Sequence, residues 1–265
     1  MKPLSTFGAD TRRDVRGVFL DIDDTLTTDG RLTAKAYTAL EDLAAADILT
    51  IPITGRPAGW CDHIARMWPV DGVVGENGAF YFVYDRTRRK MQRRFLSSDE
   101  ERRDDRVRLD GLRNTILTEV PGSAVSSDQH YRETDLAIDF CEDVPRLPES
   151  AVARIVTLFE NAGASAKVSS IHVNGWFGTY DKLGMTKILM HERFGVDLDA
   201  DKERFVFIGD SPNDSPMFGY FPHSVGVANI RDFDGLAIAE PTYVCNERCG
   251  EGFVEIANAL LAVRL

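Results

Sequence analysis

A chain of 265 residues with 43% apolar and 28% charged side chains has enough apolar material for a packed core, which excludes wholesale disorder, a collagen-like repeat and a disulfide miniprotein. Its formal charge of −11, from 31 Lys and Arg against 42 Asp and Glu, argues against nucleic acid or an anionic membrane as the main partner. Four cysteines are too sparse for a disulfide framework, and Cys245 and Cys249 have no nearby His or third Cys to complete a zinc set.

The first 17 residues contain no apolar stretch of the kind a secretory signal needs, and no run approaches a membrane span, so a cytoplasmic protein is expected. In chain order, Val18-Phe19-Leu20 is a short apolar run ending in acids, the pattern of a strand buried on both faces. Residues 33–46 are rich in Ala and Leu at helical spacing, with Thr33 as the cap. Residues 48–53 read as a second strand, 57–68 as a helix with Pro57 in its first turn, and 72–75 as a third strand. Such alternation predicts a parallel sheet with helices on both faces.

After Asn77-Gly78 the texture changes. Residues 79–84 and 90–95 read as a hairpin, followed by a highly charged helix over 98–119. A strand over 134–140, a helix over 148–162 and strands over 167–170 and 172–175 follow. From Lys182 the alternation returns, with a helix over 186–194 closed by Gly195, a strand over 205–208 and a helix over 214–220. Short strands at 224–227 and 243–245 precede a terminal helix over 252–263. The expected organisation is an α/β core of residues 1–80 and 180–265 interrupted by an α+β domain over 81–179.

Chemistry enters at the strand ends. Asp21-Ile22-Asp23-Asp24-Thr25 follows the first strand, and alternation along an extended segment turns Asp21 and Asp23 to one side. Open α/β sheets place ligands at this end of their strands. Taken alone, a solvated turn capped by Asp24 or Thr25 explains the run equally well. The second half tips the balance, because residues 205–208 end in Gly209-Asp210-Ser211-Pro212-Asn213-Asp214. Two acidic strand ends meeting at one edge repel unless a cation lies between them, and oxygen ligands of this kind favour Mg²⁺. A third strand end, Ile53-Thr54-Gly55-Arg56, supplies a hydroxyl and a cation, although Thr54 is also a natural helix cap before Pro57. Lys182 stands where the chain returns from the insertion, and its position rather than its type separates it from surface lysines.

These motifs, in this order, resemble the haloacid dehalogenase superfamily of phosphohydrolases over nearly the whole chain. Asp21-Ile22-Asp23-Asp24-Thr25 matches its first motif, Thr54 its second, Lys182 its third, and Gly209-Asp210 through Asn213-Asp214 its acidic fourth. The insertion between the second and third motifs, with the Glu76-Asn77-Gly78 turn, resembles the branch of sucrose-phosphate, trehalose-phosphate and mannosyl-phosphoglycerate phosphatases and eukaryotic-type phosphomannomutase. Two positions depart from that branch: Asp24 stands where glycine is common, and Leu183 follows the lysine where glycine is usual.

The resemblance implies a Rossmann-like core with a cap domain, Mg²⁺ as cofactor, and a small phosphorylated metabolite, such as a sugar phosphate, as substrate. No oligomeric state is implied. Asp21 would be the nucleophile that forms an aspartyl-phosphate, and Asp23 the acid that protonates the leaving group and then the base that activates water. Thr54, Gly55 and Lys182 would hold phosphoryl oxygens. Asp21, Asp210 and the main-chain carbonyl of Asp23 would hold the metal, with Asp214 ligating it or orienting a water. An alkoxide leaving group needs a proton and a halide does not, so an acid at Asp23 goes with phosphatases and phosphomutases. Hydrolysis is the expected reaction, with a phosphomutase or a non-catalytic phosphate-metabolite sensor as the alternatives.

The inserted domain is expected to close over the site and set specificity. Arg56, Asn77, His172, Asn174 and Asn213 are the candidate substrate contacts. His172, Asn174 and Trp176 alternate along one strand; Trp176 is assigned to the junction between domains, while Asn174 serves either substrate or sheet. The basic run at Arg86, Arg88, Arg89, Lys90, Arg93 and Arg94 reads as a solvated hairpin face paired with acids such as Glu100 and Asp104, the alternative being contact with a second anionic group, such as the carboxylate of a phosphoglycerate-containing substrate.

Overall fold

The computed structural model of the chain describes residues 1–264 apart from 170, 234 and 236–238. Its first part contains β1 (Lys2–Pro3), α1 (Ala9–Asp14), β2 (Gly17–Leu20), α2 (Ala34–Ala45), β3 (Leu49–Pro52) and α3 (Ala58–Met67). Next come β4 (Val73–Gly75), the hairpin β5 (Phe80–Asp85) and β6 (Lys90–Phe95), and α4 (Asp99–Glu119). The middle holds β7 (Ala124–Val125), β8 (Leu136–Asp139), α5 (Glu149–Asn161), β9 (Ser165–Val168) and β10 (His172–Trp176). The remainder is α6 (Lys182–Leu189), α7 (Leu198–Asp201), β11 (Phe205–Gly209), α8 (Ser215–Tyr220), β12 (His223–Gly226), β13 (Tyr243–Val244) and α9 (Cys249–Leu261).

Among the described residues, six strands form a parallel sheet in the order β1-β13-β12-β11-β2-β3. The apolar runs are continuous because alternate side chains enter different cores. Val18, Leu20, Val206 and Ile208 pack with α2 and α9, burying Leu40, Leu43, Phe253 and Ile256. Phe19, Phe205 and Phe207 point the other way and pack with Met185 and Leu189 of α6 and Met217 and Phe218 of α8. Fully burying side chains of this size contributes about 1.5–3 kcal/mol each, so β2 and β11 are anchored from both sides. This is the α/β architecture that the alternation predicts.

A second sheet, antiparallel in the order β7-β8-β10-β9, has its own core with α4 and α5, built from residues such as Leu112, Ile116, Ile138, Ile155, Phe159 and Val173. The first half of α4 is charged and stands on its cap: Ser98 accepts from the Glu101 amide, and the Glu101 carboxylate accepts from the Ser98 amide.

The β5–β6 hairpin, grouped with the insertion from sequence, pairs through β4 and packs elsewhere. Tyr81 and Val83 join the core of Phe207, while Phe80 and Phe82 pack on Cys61 and Ile64 of α3. A single parallel bridge between Ile53 and Val74 ties this three-stranded sheet to the edge of the main one. The basic residues of the hairpin therefore meet different acids from those expected. Arg93 pairs with Asp62 of α3 and Arg94 with Glu192, not with Glu100 or Asp104.

Element boundaries also shift: α9 runs Cys249–Leu261 against the expected 252–263, and β8 Leu136–Asp139 against 134–140. Helix α6 begins at Lys182 rather than 186, because the Asp181 side chain accepts from the Gly184 amide and caps it there. Pro57 is the N-cap of α3 rather than part of its first turn. Strand β9 starts at Ser165 because Gly163, at φ 77°, turns the chain directly out of α5; of its expected span, Ser170 lies outside the described residues. Among the described residues, no helix is long and apolar enough to cross a membrane.

Candidate active site

Adjacent strands β2 and β11 end side by side, and the acids follow immediately. Asp21 continues past β2, its amide donating to the Ile208 carbonyl at 2.9 Å, and Asp210 continues past β11. The 3₁₀ turn over Pro212–Asp214 folds the chain back so that the Asp214 carboxylate returns beneath Asp210 and accepts from its amide at 3.4 Å. Gly209 permits this approach: a Cβ there would lie 2.5 Å from the Asp214 carboxylate. Ligand oxygens of Asp21, Asp210 and Asp214 all lie within 4.8 Å of one another. Lys182, first residue of α6, is buried and donates to Asp21 Oδ1 at 2.6 Å and to Asp214 Oδ1 at 2.9 Å.

Charge in this cluster does not balance. Burial pushes the Asp21 carboxyl up to about 7, with Asp214 and Asp23 adding to the effect and Lys182 opposing it. Asp210 is pushed further, to about 9, by burial and then by Asp214 and Asp21. For Lys182, burial works against the charge, but Asp21 and Asp214 outweigh it and the ammonium is held well above its usual range. Three buried carboxylates around one ammonium leave room for more positive charge, and a set of carboxylate oxygens suits a hard divalent cation such as Mg²⁺. Outer contacts fix the donors. Thr25 Oγ1 donates to Asp210 Oδ1 at 3.1 Å, and Asn229 Nδ2 donates to the Asp24 carbonyl at 3.0 Å and to Asp210 Oδ2 at 3.4 Å.

Asp23 faces the same cavity from a different grip. Arg56 Nε donates to both its carboxylate oxygens at 3.1 and 3.0 Å, and Nη2 donates to Oδ1 at 2.6 Å, while the guanidinium stacks 4.4 Å from the Trp60 ring centre. Thr54 is fully buried just behind Gly55, with its Oγ1 accepting from the Arg56 amide at 3.0 Å. Gly55, Arg56, Asn77 and Asn213 line a cavity of about 810 Å³ above the acids.

Residues 18–103 match the family described as haloacid dehalogenase-like hydrolase. A phosphoglycolate phosphatase of Halorubrum lacusprofundi is 30% identical over 227 residues, covering 82% of this chain and 85% of that protein. The chain belongs to the haloacid dehalogenase-like hydrolases. Its fold is shared with the crystal structure of Thermoplasma acidophilum 0175, at a TM-score of 0.67 and 19% identity over 94% of this chain and 99% of that one. The sucrose-phosphatase of Synechocystis sp. PCC6803 superposes with a TM-score of 0.63 at 14% identity, over 94% and 98% of the two chains.

In this haloacid dehalogenase-like hydrolase the second sheet forms the other wall of the cavity, and its side chains divide. His172 lines the cavity, with Nε2 2.8 Å from a Glu142 oxygen but off the line that a hydrogen bond needs. Burial holds its pKa below the ordinary imidazole value. Asn174 also reaches the wall, but its amide donates to buried Asp135 at 2.9 Å, the sheet-side alternative. Trp176 is buried against Tyr180, their ring centres 5.5 Å apart.

Three further residues carried no signal in sequence. Buried Arg132 pairs with Asp128 and Asp135 and donates to the Gly55 carbonyl at 3.1 Å, joining the second sheet to the Thr54–Arg56 turn. Asn229 arrives from the 3₁₀ helix Ala228–Phe233, more than 200 positions beyond Asp24, a distance that no local motif spans. Lys167 of β9 enters the cavity and donates to the Asn213 carbonyl at 3.5 Å. Strand alternation could have placed Lys167 on one face of β9, but not that face over the acids.

Proposed function

We propose that this phosphoric monoester hydrolase cleaves a small phosphorylated metabolite by transferring its phosphoryl group first to Asp21 and then to water. The observation that carries the reading is the bridge from Lys182 to Asp21 and Asp214, with Asp210 alongside, at the ends of two neighbouring strands. An Asp21 oxygen attacks phosphorus, the ester P–O bond breaks, and Asp23 gives a proton to the departing alkoxide. Asp23 then takes a proton from water as that water attacks the aspartyl-phosphate, releasing inorganic phosphate and restoring Asp21. Arg56 donates to both Asp23 oxygens; when Asp23 takes up a proton one oxygen leaves the fork, and the other stays held and keeps the carboxyl aimed.

Lys182 and the main chain at Gly55 offset charge on the phosphoryl oxygens, and buried Thr54 keeps the turn in shape through its bond from the Arg56 amide. Asp21, Asp210 and Asp214, with the Asp23 carbonyl, would hold Mg²⁺. When bound, the ion counters the repulsion between an anionic nucleophile and an anionic phosphate. The relatives named phosphoglycolate phosphatases support a small phosphorylated substrate. We assign the specificity-setting cap to the α4 to β10 region with its separate core, and the β5–β6 hairpin to the catalytic body on which it packs.

Asp21→Asn tests the assignment. Mg²⁺-dependent phosphate release from an aryl phosphate should fall by at least ~10³-fold, with the circular dichroism spectrum unchanged. Turnover at the parent rate would refute Asp21 as nucleophile.

A further inference from the structure

Four side chains of permanent positive charge line the cavity: Arg56, Arg132, Lys167 and Lys182. Three of them have carboxylate partners in place. Arg56 holds Asp23, Arg132 holds Asp128 and Asp135, and Lys182 holds Asp21 and Asp214. Lys167 differs. Among the described residues it makes no ion pair, and its Nζ has the Asn213 carbonyl at 3.5 Å as its hydrogen-bond partner. Asp214 and Asp181 act on it only from a distance, while burial and the Lys182 ammonium hold its pKa below the ordinary lysine value. A partly desolvated ammonium without a counter-ion is costly, and it persists where a ligand supplies the missing charge.

Position narrows the ligand. Lys167 hangs from β9 in the second sheet, lines the same cavity as Asp21, and touches the same turn that carries Asp214. Lys167 and Lys182 line the same cavity, and the Lys182 ammonium adds to the depression of Lys167. Lys182 already faces the phosphoryl position. Lys167 therefore meets the part of the substrate that departs. One compact monovalent cation matches one carboxylate. A second phosphate dianion would call on further cations, and Arg56 and Arg132 are already committed to Asp23, Asp128 and Asp135.

We propose that Lys167 is a specificity-determining residue that binds a carboxylate on the leaving portion of the substrate, making a short-chain phosphorylated hydroxy acid the preferred class. This rests on the phosphatase reading above and adds to it the identity of the second charged group.

The test compares two esters of nearly equal size under Mg²⁺: 2-phosphoglycolate, which carries the carboxylate, and ethyl phosphate, which does not. The parent enzyme should favour 2-phosphoglycolate in kcat/KM by at least ~10-fold, the scale of one charge-assisted hydrogen bond. Lys167→Met should raise KM for 2-phosphoglycolate ~10- to 100-fold while leaving ethyl phosphate within ~2-fold, and Lys167→Arg should recover part of the loss. Thermal melts of both variants check that the fold is kept. Equal losses on the two esters, or no loss on either, would overturn the inference. So would a parent enzyme that cleaves an aryl phosphate without preferring the carboxylate ester, and this outcome leaves the phosphatase reading intact. Release of phosphate from no ester at all would sink both.

Discussion

Arg56 illustrates why residue type matters as much as charge in this site. Its planar fork reaches both oxygens of Asp23, and its flat face rests on Trp60, two things a lysine cannot do together. Arg56→Lys should therefore keep the local charge yet lower kcat by about 10-fold, because Asp23 is no longer aimed. Steady-state kinetics with the aryl phosphate reads this directly; an unchanged kcat would show that the fork is dispensable. At the same scale, Asp24 occupies a left-handed conformation at φ 57°, one that glycine adopts without steric cost and that Asp tolerates better than most side chains. Asp21, Asp23, Asp210, Asp214 and Lys182 were legible in sequence because acids at strand ends and a lysine at the return of the chain have few purely structural reasons to recur together. Lys167 and Arg132 were not, since a single basic residue on a charged surface is unremarkable until its neighbours are known.

At the level of elements, the first turn of α6 is where sequence and packing meet. Asp181 caps the helix, Lys182 begins it, and the chain at Gly78 presses against their backbone. Gly78 adopts φ 107°, and a Cβ there would stand 2.0 Å from the Asp181 carbonyl oxygen, with no flexible side chain to move aside. Gly78→Ala should destabilise the protein by about 2–4 kcal/mol and lower activity as well, because the turn that yields is the one holding Lys182. Asp181→Ala, which removes only the cap, should cost about 1 kcal/mol. Urea denaturation of the two variants separates a steric effect from a capping effect. Elements with a strong period, such as α2, and both strands of the β5–β6 hairpin were readable in advance. The two-residue strands β1, β7 and β13 exist through their pairing partners, and of these only β13 carried a sequence pattern.

Across the whole molecule, Glu76 joins the two layers. It is fully buried just past β4, where it accepts from the Ala58 amide of α3 at 3.0 Å. It also accepts from the Glu133 and Thr134 amides of the second layer at 2.9 and 2.7 Å. Burial, reinforced by Asp135 and opposed by Arg132, raises its carboxyl from 4.5 to about 7. A raised carboxyl means that the folded protein keeps a proton which the unfolded chain gives up. The stability from this group is thus fully present below pH 4.5 and is lost as pH rises through about 7. Chemical denaturation between pH 5 and 8 should show stability falling through this window, and Glu76→Gln should flatten the fall. A slope unchanged by the substitution would remove Glu76 from the account.

Local chemistry and periodicity were enough to reveal an α/β core and the acids at its strand ends, since apolar alternation and charge at a strand terminus are written within a few consecutive residues. Which core the β5–β6 hairpin packs on, which acids its arginines find, and which lysine of the second sheet enters the cavity were decided only by packing. Those contacts link residues dozens to hundreds of positions apart, and the burial that gives them their strength exists only once the layers have closed on one another.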